Sequence, residues 1–213
     1  MVFRNATNSD VPFLINAIFE AEKSGSTLLS YSTLFDLSKT ELQQLFTEML
    51  EEDVANQEIN VSGFGLVEIE KKVVAATNCW IEPSNGKSSA QQKASLLMGI
   101  MGTTRVSEAF AQHKFLQDLT LTRSPGAVQF ESVFILPEHR GKGLLGFLFK
   151  TLSEVHNPSK KLPEEIHVVQ SNQLAYNAYR KLGFTVIQEK ISVHPDVKKY
   201  LPDSTRLKMM RNF

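Results

Sequence analysis

The 213-residue chain contains a single cysteine, Cys79, so no disulfide can form within it. This favours a reducing compartment. The N-terminal stretch MVFRNATNSD has no apolar core of signal-peptide length, and no uncharged apolar run approaches the about 18 residues needed to span a bilayer. We therefore expect a soluble cytoplasmic protein with no membrane partner.

The chain also has no excess of charge of either sign. Lys and Arg together number 23, Asp and Glu together number 23, and the formal net charge is zero. Proteins that bind nucleic acid usually show a basic excess, so we expect no nucleic-acid partner. The five histidines form no metal-ligand spacing, and no Ser-His-Asp or Cys-His order stands out.

Helix and strand patterns alternate along the sequence. Apolar residues recur at helical spacing over 11–19 and 42–50, and Ser38 with Glu41 predicts a capping box before the second run. Residues 64–81 predict a β-hairpin, and strands are expected at 127–136, 165–170, 184–193 and 205–213. Helices are expected over 144–157 and 172–182, and apolar spacing at 94–101 and 106–113 suggests two more helices within 83–125. This order predicts a mixed α/β sheet in one domain, 1–213, with 83–125 as an insertion between the third and fourth strands.

Residues 136–152, LPEHRGKGLLGFLFKTL, place a basic, glycine-rich turn between a predicted strand and a predicted helix. The first N–H groups of a helix have no internal partner and attract anions. Arg140-Gly141-Lys142-Gly143 therefore predicts a pyrophosphate cradle, with an ordinary turn as the alternative. The segment lacks the Walker pattern. Gly146 completes G-x-G-x-x-G by count, but it falls inside the predicted helix, which disfavours a dinucleotide site.

A second segment, SNQLAYNAYRKLGF at 171–184, follows one strand later. Together the two segments resemble the GCN5-related N-acetyltransferase (GNAT) superfamily. The family's cofactor motif, Gln/Arg-x-x-Gly-x-Gly/Ala, matches at Arg140 and Gly143 and departs at Leu145. Its later motif, Asn-x-x-Ala-x-x-x-Tyr-x-x-x-Gly-Phe, matches throughout, at Asn172, Ala175, Tyr179, Gly183 and Phe184.

The resemblance implies a mixed, mostly antiparallel sheet with a splayed parallel strand pair and helices on both faces. It also implies that acetyl-CoA is bound, with its pantetheine arm between the splayed strands and its pyrophosphate on the glycine turn. The residues to which it assigns cofactor binding are Val133, Phe134, Ile135, Arg140, Gly141, Lys142, Gly143, Leu144, Leu145, Gly146, Asn172 and Tyr179. For 133–135 the alternative is a buried strand without a ligand.

Catalysis in this family is direct transfer of the acetyl group to an amine. The resemblance puts Tyr179 at the general-acid position, where a phenol that stays protonated can donate to the departing thiolate. Glu131 and His167 are candidate bases, and a water relay is a third possibility. The alternatives are that Glu131 is an edge or solvated glutamate and that His167 is a packed core or surface histidine. Because Glu131 alternates with Val133 and Ile135, we expect all three on one face, with the carboxylate in an apolar cleft.

The acceptor is expected to be a primary amine on a small molecule or a peptide. Tyr31, Phe35, Trp80 and Tyr200 are candidate pocket walls, or ordinary packing residues. The insertion is expected to cover the pocket, to form a homodimer surface or to remain a solvated decoration. Two functions compete: an acetyl-CoA-dependent N-acetyltransferase, and a non-catalytic acyl-CoA-binding or regulatory module of the same fold.

Overall fold

The computed structural model describes residues 1–212. Phe213, at the end of the last predicted strand, lies outside the described residues. The strands are β1 (Val2–Asn5), β2 (Phe64–Ile69), β3 (Lys72–Ile81), β4 (Val128–Ile135), β5 (Glu164–Val169), β6 (Thr185–Ile191) and β7 (Thr205–Arg211). The helices are α1 (Val11–Lys23), α2 (Ser30–Phe35), α3 (Lys39–Glu51), α4 (Ser89–Met101), α5 (Thr103–Gln112), α6 (Leu144–His156), α7 (Gln173–Lys181) and α8 (Val197–Tyr200).

The seven strands form one sheet in the order β1-β2-β3-β4-β5-β7-β6. Neighbouring strands are antiparallel except β4 and β5, which are parallel. A parallel pair needs a crossover, and α6 supplies it between β4 and β5. The predicted mixed, mostly antiparallel sheet is therefore confirmed.

Both faces of the sheet are covered by an apolar core. On one side, here called the α1 face, helices α1, α3, α4 and α5 pack around side chains such as Phe46 and Phe64. On the other, the α6 face, helices α6 and α7 pack over Phe130 and Phe149, whose rings stack 4.1 Å apart. Helices on both faces were expected, and the structure confirms them.

Local signals explain where two of these elements begin. The Ser38 hydroxyl accepts from the Glu41 N–H at 3.2 Å, and the Glu41 carboxylate accepts from the Ser38 N–H at 2.8 Å, which is the predicted capping box of α3. The β2–β3 hairpin turns at Glu70 and Lys71, whose φ values of 51° and 63° are typical of a two-residue hairpin turn.

The segment 83–125 folds into α4, α5 and a 3-10 segment, Lys114–Leu119. Two helices were expected here, and both are present. Leu97 of α4 and Val106 of α5 are fully buried in the core of the α1 face, and Met98 and Met101 pack against it. The segment therefore adds a layer over α3 and the adjoining part of the sheet. Across residues 1–212, no helix combines the length and apolar character needed to cross a membrane.

Candidate active site

The parallel strands β4 and β5 separate halfway along their length. They pair at Val128–Glu164, Gln129–Glu165 and Phe130–Ile166, and the described register contains no pair beyond. On its other side β4 continues to pair with β3 as far as Ile135. The gap between the strands therefore opens inside the sheet, and it gives β4 an inner edge to which a ligand can add as a strand would.

A β-bulge marks the point where the strands part. Thr77 of β3 lies opposite two residues of β4, Ser132 and Val133, and Ser132 has a φ of 51°. The extra residue reverses the alternation of side chains along β4. Glu131 consequently lies on the α1 face, whereas Val133 and Ile135 pack into the core of the α6 face. The expectation that these three side chains share one face is wrong.

The same bulge sets which backbone groups face the gap. The Leu136 N–H donates to the Val74 carbonyl at 2.9 Å, and the alternating ladder turns the N–H and C=O of Ile135 away from β3. Phe134 pairs with Ala76, and its backbone groups point toward β3. Of the neighbours Phe134 and Ile135, only Ile135 therefore offers its backbone to the gap.

A cavity of about 1330 Å³ passes through the gap. One end, here called the glycine end, is lined by Arg140, Gly141, Gly143, Leu144, Leu145 and Gly146. The other, here called the charged end, lies on the α1 face and is lined by Glu22, Glu58, Lys93, Glu131, His167 and Arg206 together with Tyr31. Asn172 and Tyr179 line the wall contributed by α7.

The glycine end is formed by the N-terminus of α6. The first helical bond runs from the Phe147 N–H to the Gly143 carbonyl, so the N–H groups of Leu144, Leu145 and Gly146 have no partner within the helix. Gly143 has a φ of 79°, and no side chain caps the helix. A Cβ placed at Gly141 or Gly143 would meet nothing within 4 Å, which leaves room for an anion against the backbone.

The two basic residues of the turn are placed differently. Arg140 lines the cavity, and its Nε donates to the Ile135 carbonyl at 3.1 Å, which ties the turn to the inner edge of β4. Lys142 is exposed and is not part of the cavity lining. Gly146 lies within the first turn of α6, as the sequence predicted.

Helix α7 carries the matched residues of the second motif. The Asn172 side-chain oxygen accepts from the Ala175 N–H at 3.2 Å and so caps the helix while Asn172 lines the cavity. Tyr179 is buried, with its ring 6.1 Å from that of Phe149 and 6.3 Å from that of Phe184. Its hydroxyl has no hydrogen-bond partner among residues 1–212.

The pKa of Tyr179 is raised by burial and, secondarily, by the negative charge of Glu131. A raised phenol pKa keeps the proton on the oxygen at neutral pH. Tyr179 is therefore available as a proton donor on the cavity wall.

His167 faces the cavity from β5, and its Nε2 lies 3.0 Å from Oε1 of Glu165. Burial would raise the pKa of Glu165, but hydrogen bonds from His167 and Ser124 hold it at about 2. An ionised carboxylate can only accept, so Nε2 carries the hydrogen and Nδ1 holds the free lone pair. Burial also lowers the pKa of His167, which keeps the ring neutral and able to take a proton.

Glu131 has a partner that the sequence analysis did not foresee. Arg123 donates from Nη2 to Glu131 at 2.6 Å and also to Glu58 at 2.8 Å. Lys93 of α4 forms a further ion pair with Glu58. Glu131 is thus part of a half-buried network of ion pairs, and the expected apolar cleft around it is wrong.

Several residues of the charged end carry no sequence signal. Glu22 lies in the last turn of an amphipathic helix, Glu58 lies in a loop and Arg206 lies in a strand, and none of them belongs to a recognised motif. Of the four aromatic candidates for the pocket wall, Tyr31 lines the cavity. Phe35 is buried in the core of the α1 face. The Cζ atom of Arg123 lies 5.0 Å from the centre of the Trp80 ring, and the ring centres of Tyr200 and His113 are 4.2 Å apart.

The described residues contain no group of three or more His, Cys, Asp or Glu side chains that could hold a metal ion. Cys79 is buried in the core of the α6 face, and burial raises the pKa of its thiol. A buried thiol held in its protonated form is a poor nucleophile.

Comparison with known proteins agrees with this geometry. The family model for the acetyltransferase (GNAT) family matches residues 31–184, well over half of the chain, so the chain belongs to this family. A search among curated proteins finds no match.

Solved structures with the same fold cover nearly the whole chain. An N-acetyltransferase from Staphylococcus aureus Mu50 matches with a TM-score of 0.62 and 13% identity, over 99% of this chain and 100% of that one. A ribosomal-protein-alanine N-acetyltransferase from Brucella melitensis matches with a TM-score of 0.56 and 16% identity, over the full length of both chains. A spermidine N-acetyltransferase from Vibrio cholerae matches with a TM-score of 0.52 and 15% identity, over 100% of this chain and 95% of that one. At these identities the likeness concerns the fold.

Proposed function

We propose that this protein transfers the acetyl group of acetyl-CoA to a primary amine by direct attack of the amine on the thioester. The observation that carries the proposal is the continuous cavity through the splayed strands. It joins an anion-binding helix N-terminus at one end to titratable side chains at the other. This is the arrangement that a reaction between a pyrophosphate-bearing thioester and an amine requires.

In this proposal the glycine end holds the pyrophosphate. The free N–H groups of Leu144, Leu145 and Gly146 donate to it, and the open space over Gly141 and Gly143 lets the phosphates approach the backbone. The pantetheine arm lies along the inner edge of β4, where the backbone of Ile135 faces the gap. Leu145, where the family prefers Gly or Ala, contributes its backbone N–H and needs no special side chain for this role.

Tyr179 is proposed as the general acid. As the amine nitrogen bonds to the carbonyl carbon, the C–S bond breaks, and the Tyr179 hydroxyl gives its proton to the departing sulfur. Burial and the charge of Glu131 both raise the pKa of Tyr179, which ensures that it is protonated when the thiolate forms.

His167 is the better supported of the two candidate bases. His167 lines the cavity and its neutral ring keeps a lone pair on Nδ1, whereas the Glu131 carboxylate is already engaged by Arg123. In the proposed reaction Nδ1 accepts the proton that the amine loses, and Glu165 stabilises the imidazolium that results. Glu131 serves to hold Arg123 and to shape the charged end.

A pair of tyrosine variants tests the general acid. We expect Tyr179→Phe to lower kcat by about 100-fold to 10,000-fold, the usual range for general acid catalysis, while the affinity for acetyl-CoA is unchanged. The measurement is release of free CoA thiol with a panel of primary amines, together with calorimetric titration of acetyl-CoA.

Tyr176→Phe is the matched control, because Tyr176 lies on the same helix outside the cavity lining. A Tyr179→Phe enzyme with an unchanged kcat would contradict the assigned role. A wild-type protein that binds acetyl-CoA and releases no thiol with any amine would support the non-catalytic acyl-CoA-binding module instead.

A further inference from the structure

Among the described residues, the charged end of the cavity contains one cation without a partner. Arg206, near the start of β7, lies opposite Val169 of β5 and lines the cavity. Its guanidinium forms no hydrogen bond or ion pair with any residue of the described chain. The other basic groups around this end are paired: Lys93 with Glu58, and Arg123 with both Glu58 and Glu131.

Arg206 is also half-buried. Burial lowers its pKa, the charge of Glu131 opposes this effect, and Arg123 adds to it. A guanidinium is charged at any physiological pH, so this position keeps a partly desolvated positive charge without an ion-pair partner. Such a charge is costly unless a ligand neutralises it.

The ion pairs of Lys93 and Arg123 leave Arg206 as a cavity-lining cation that a ligand can neutralise. A carboxylate would supply the partner that its guanidinium lacks, whereas a polyamine would add positive charge beside it.

Arg206 lies close to the proposed reaction centre. Arg206 pairs with Val169, and His167 lies two residues before Val169 on β5, so Arg206 and His167 are diagonal neighbours on one face of the sheet. Both line the same cavity as Tyr179. A group bound by Arg206 therefore belongs to the acceptor side, and the pyrophosphate binds at the opposite, glycine end.

We propose that Arg206 binds a carboxylate of the acceptor, an inference that rests on the proposed function. The acceptor is then an amine that also carries a carboxylate, such as an amino acid. A guanidinium presents two parallel N–H donors that match a carboxylate. The ammonium end of the same molecule is then directed toward His167 and Tyr179.

The test compares acceptors that differ only in this group. Each common amino acid, its carboxamide and its decarboxylated amine, together with spermidine and an aminoalkyl phosphate, are assayed by thiol release from acetyl-CoA. We expect at least one amino acid to exceed its carboxamide and its amine in kcat/KM by about 10-fold to 100-fold, as for a charge-assisted hydrogen bond. A best substrate that lacks the carboxylate, or no activity with any amino acid, overturns the inference.

Variants of Arg206 make the assignment specific. Arg206→Met is expected to raise KM for that amino acid by about 10-fold to 100-fold and to bring its preference over the carboxamide close to one. Arg206→Lys is expected to keep part of the preference. Arg180→Met is the matched control, because Arg180 is exposed on α7 and does not line the cavity. An unchanged preference in Arg206→Met overturns the inference.

Binding provides a readout that does not need turnover or a folded variant. N-acetyl amino acids, which keep the carboxylate, are titrated into the wild-type complex with CoA and compared with their carboxamides. We expect at least one acid to bind about 10-fold or more tightly than its carboxamide, and equal or absent binding overturns the inference. Failure of acetyl-CoA itself to bind would instead refute the proposed function.

Discussion

At the scale of single residues, Glu22 is a carboxyl group of the charged end whose pKa is raised. Burial raises the pKa of Glu22 to about 7, and the nearby negative charge of Glu58 also raises it. The Tyr31 N–H, which donates to Oε1 at 2.6 Å, and the charge of Lys93 act in the opposite direction. Its Oε2 is buried and has no partner within residues 1–212. The fold therefore favours the neutral form of Glu22.

This has a definite consequence for stability. A glutamate in the unfolded chain ionises near its ordinary pKa of 4.5, whereas Glu22 in the folded protein ionises at about 7. Between these values the unfolded state gains charge and the folded state does not, so Glu22 reduces stability progressively as the pH rises from 4.5 to 7. Over this range the free energy of unfolding falls by about 3 kcal/mol, because each pH unit contributes about 1.4 kcal/mol.

Glu22→Gln should remove this pH dependence, because glutamine stays neutral and can still accept from the Tyr31 N–H. We compare the free energy of unfolding of the variant with that of the wild type at each pH. We expect the difference in favour of the variant to be about 3 kcal/mol larger at pH 8 than at pH 4.5. Urea unfolding at the two pH values measures the difference, and Glu51→Gln, at an exposed position of α3, controls for the loss of a carboxylate. A gain that is the same at both pH values would contradict the account.

The residues identified from the sequence are those that a local motif specifies. Asn172 and Tyr179 were identified from their spacing in α7, and the structure brings both to the cavity. Glu22 and Arg206 could not be predicted, because their importance depends on which charges other elements bring nearby. Nothing in the sequence of α1 or β7 indicates that one carboxyl group loses its hydration or that one guanidinium lacks a partner.

At the scale of elements, the turn before α6 is the part on which the proposed cofactor binding depends. Gly143 has a φ of 79°, where a side chain costs about 1–2 kcal/mol, and a Cβ there would enter the open space over the helix N-terminus. Gly86 has the same φ, open space around it and an exposed position in the segment 83–125. The two glycines form a matched pair.

We expect Gly143→Ala and Gly86→Ala to destabilise the fold by a similar amount, about 1–2 kcal/mol each. Only Gly143→Ala should weaken acetyl-CoA binding, by at least about 10-fold, because its methyl group occupies the space proposed for the pyrophosphate. Thermal unfolding and calorimetric titration measure the two effects. Equal acetyl-CoA affinity in both variants would show that the phosphates bind elsewhere.

The elements themselves were largely predictable, and the bulge was not. The capping box of α3, the hairpin of β2 and β3 and the helix that begins after Gly143 all follow from local residue patterns. The bulge at Ser132 lies in the run Glu-Ser-Val, which contains no glycine to mark a positive φ. Because it depends on the pairing with β3, simple alternation along β4 gave the wrong face for Glu131.

At the scale of the whole molecule, the two cores hold the gap open from both sides. Beyond the point where the two strands stop pairing, β4 contributes Phe134 to the core of the α1 face. In the same region β5 contributes Val168 to the core of the α6 face. The segment 83–125 contributes as well, since Lys93 and Arg123 complete the charged end. Its two helices were predictable, but its supply of charges to the site was not.

The central claim is that this cavity binds acetyl-CoA, and calorimetric titration of the wild-type protein tests it most directly. We expect acetyl-CoA to bind with a dissociation constant in the micromolar range. Adenosine 3′,5′-bisphosphate should bind more weakly, because it lacks the arm that fills the gap between β4 and β5, and NAD should not bind. Absence of binding by acetyl-CoA and by longer acyl-CoAs, or equal binding of NAD, would contradict the account.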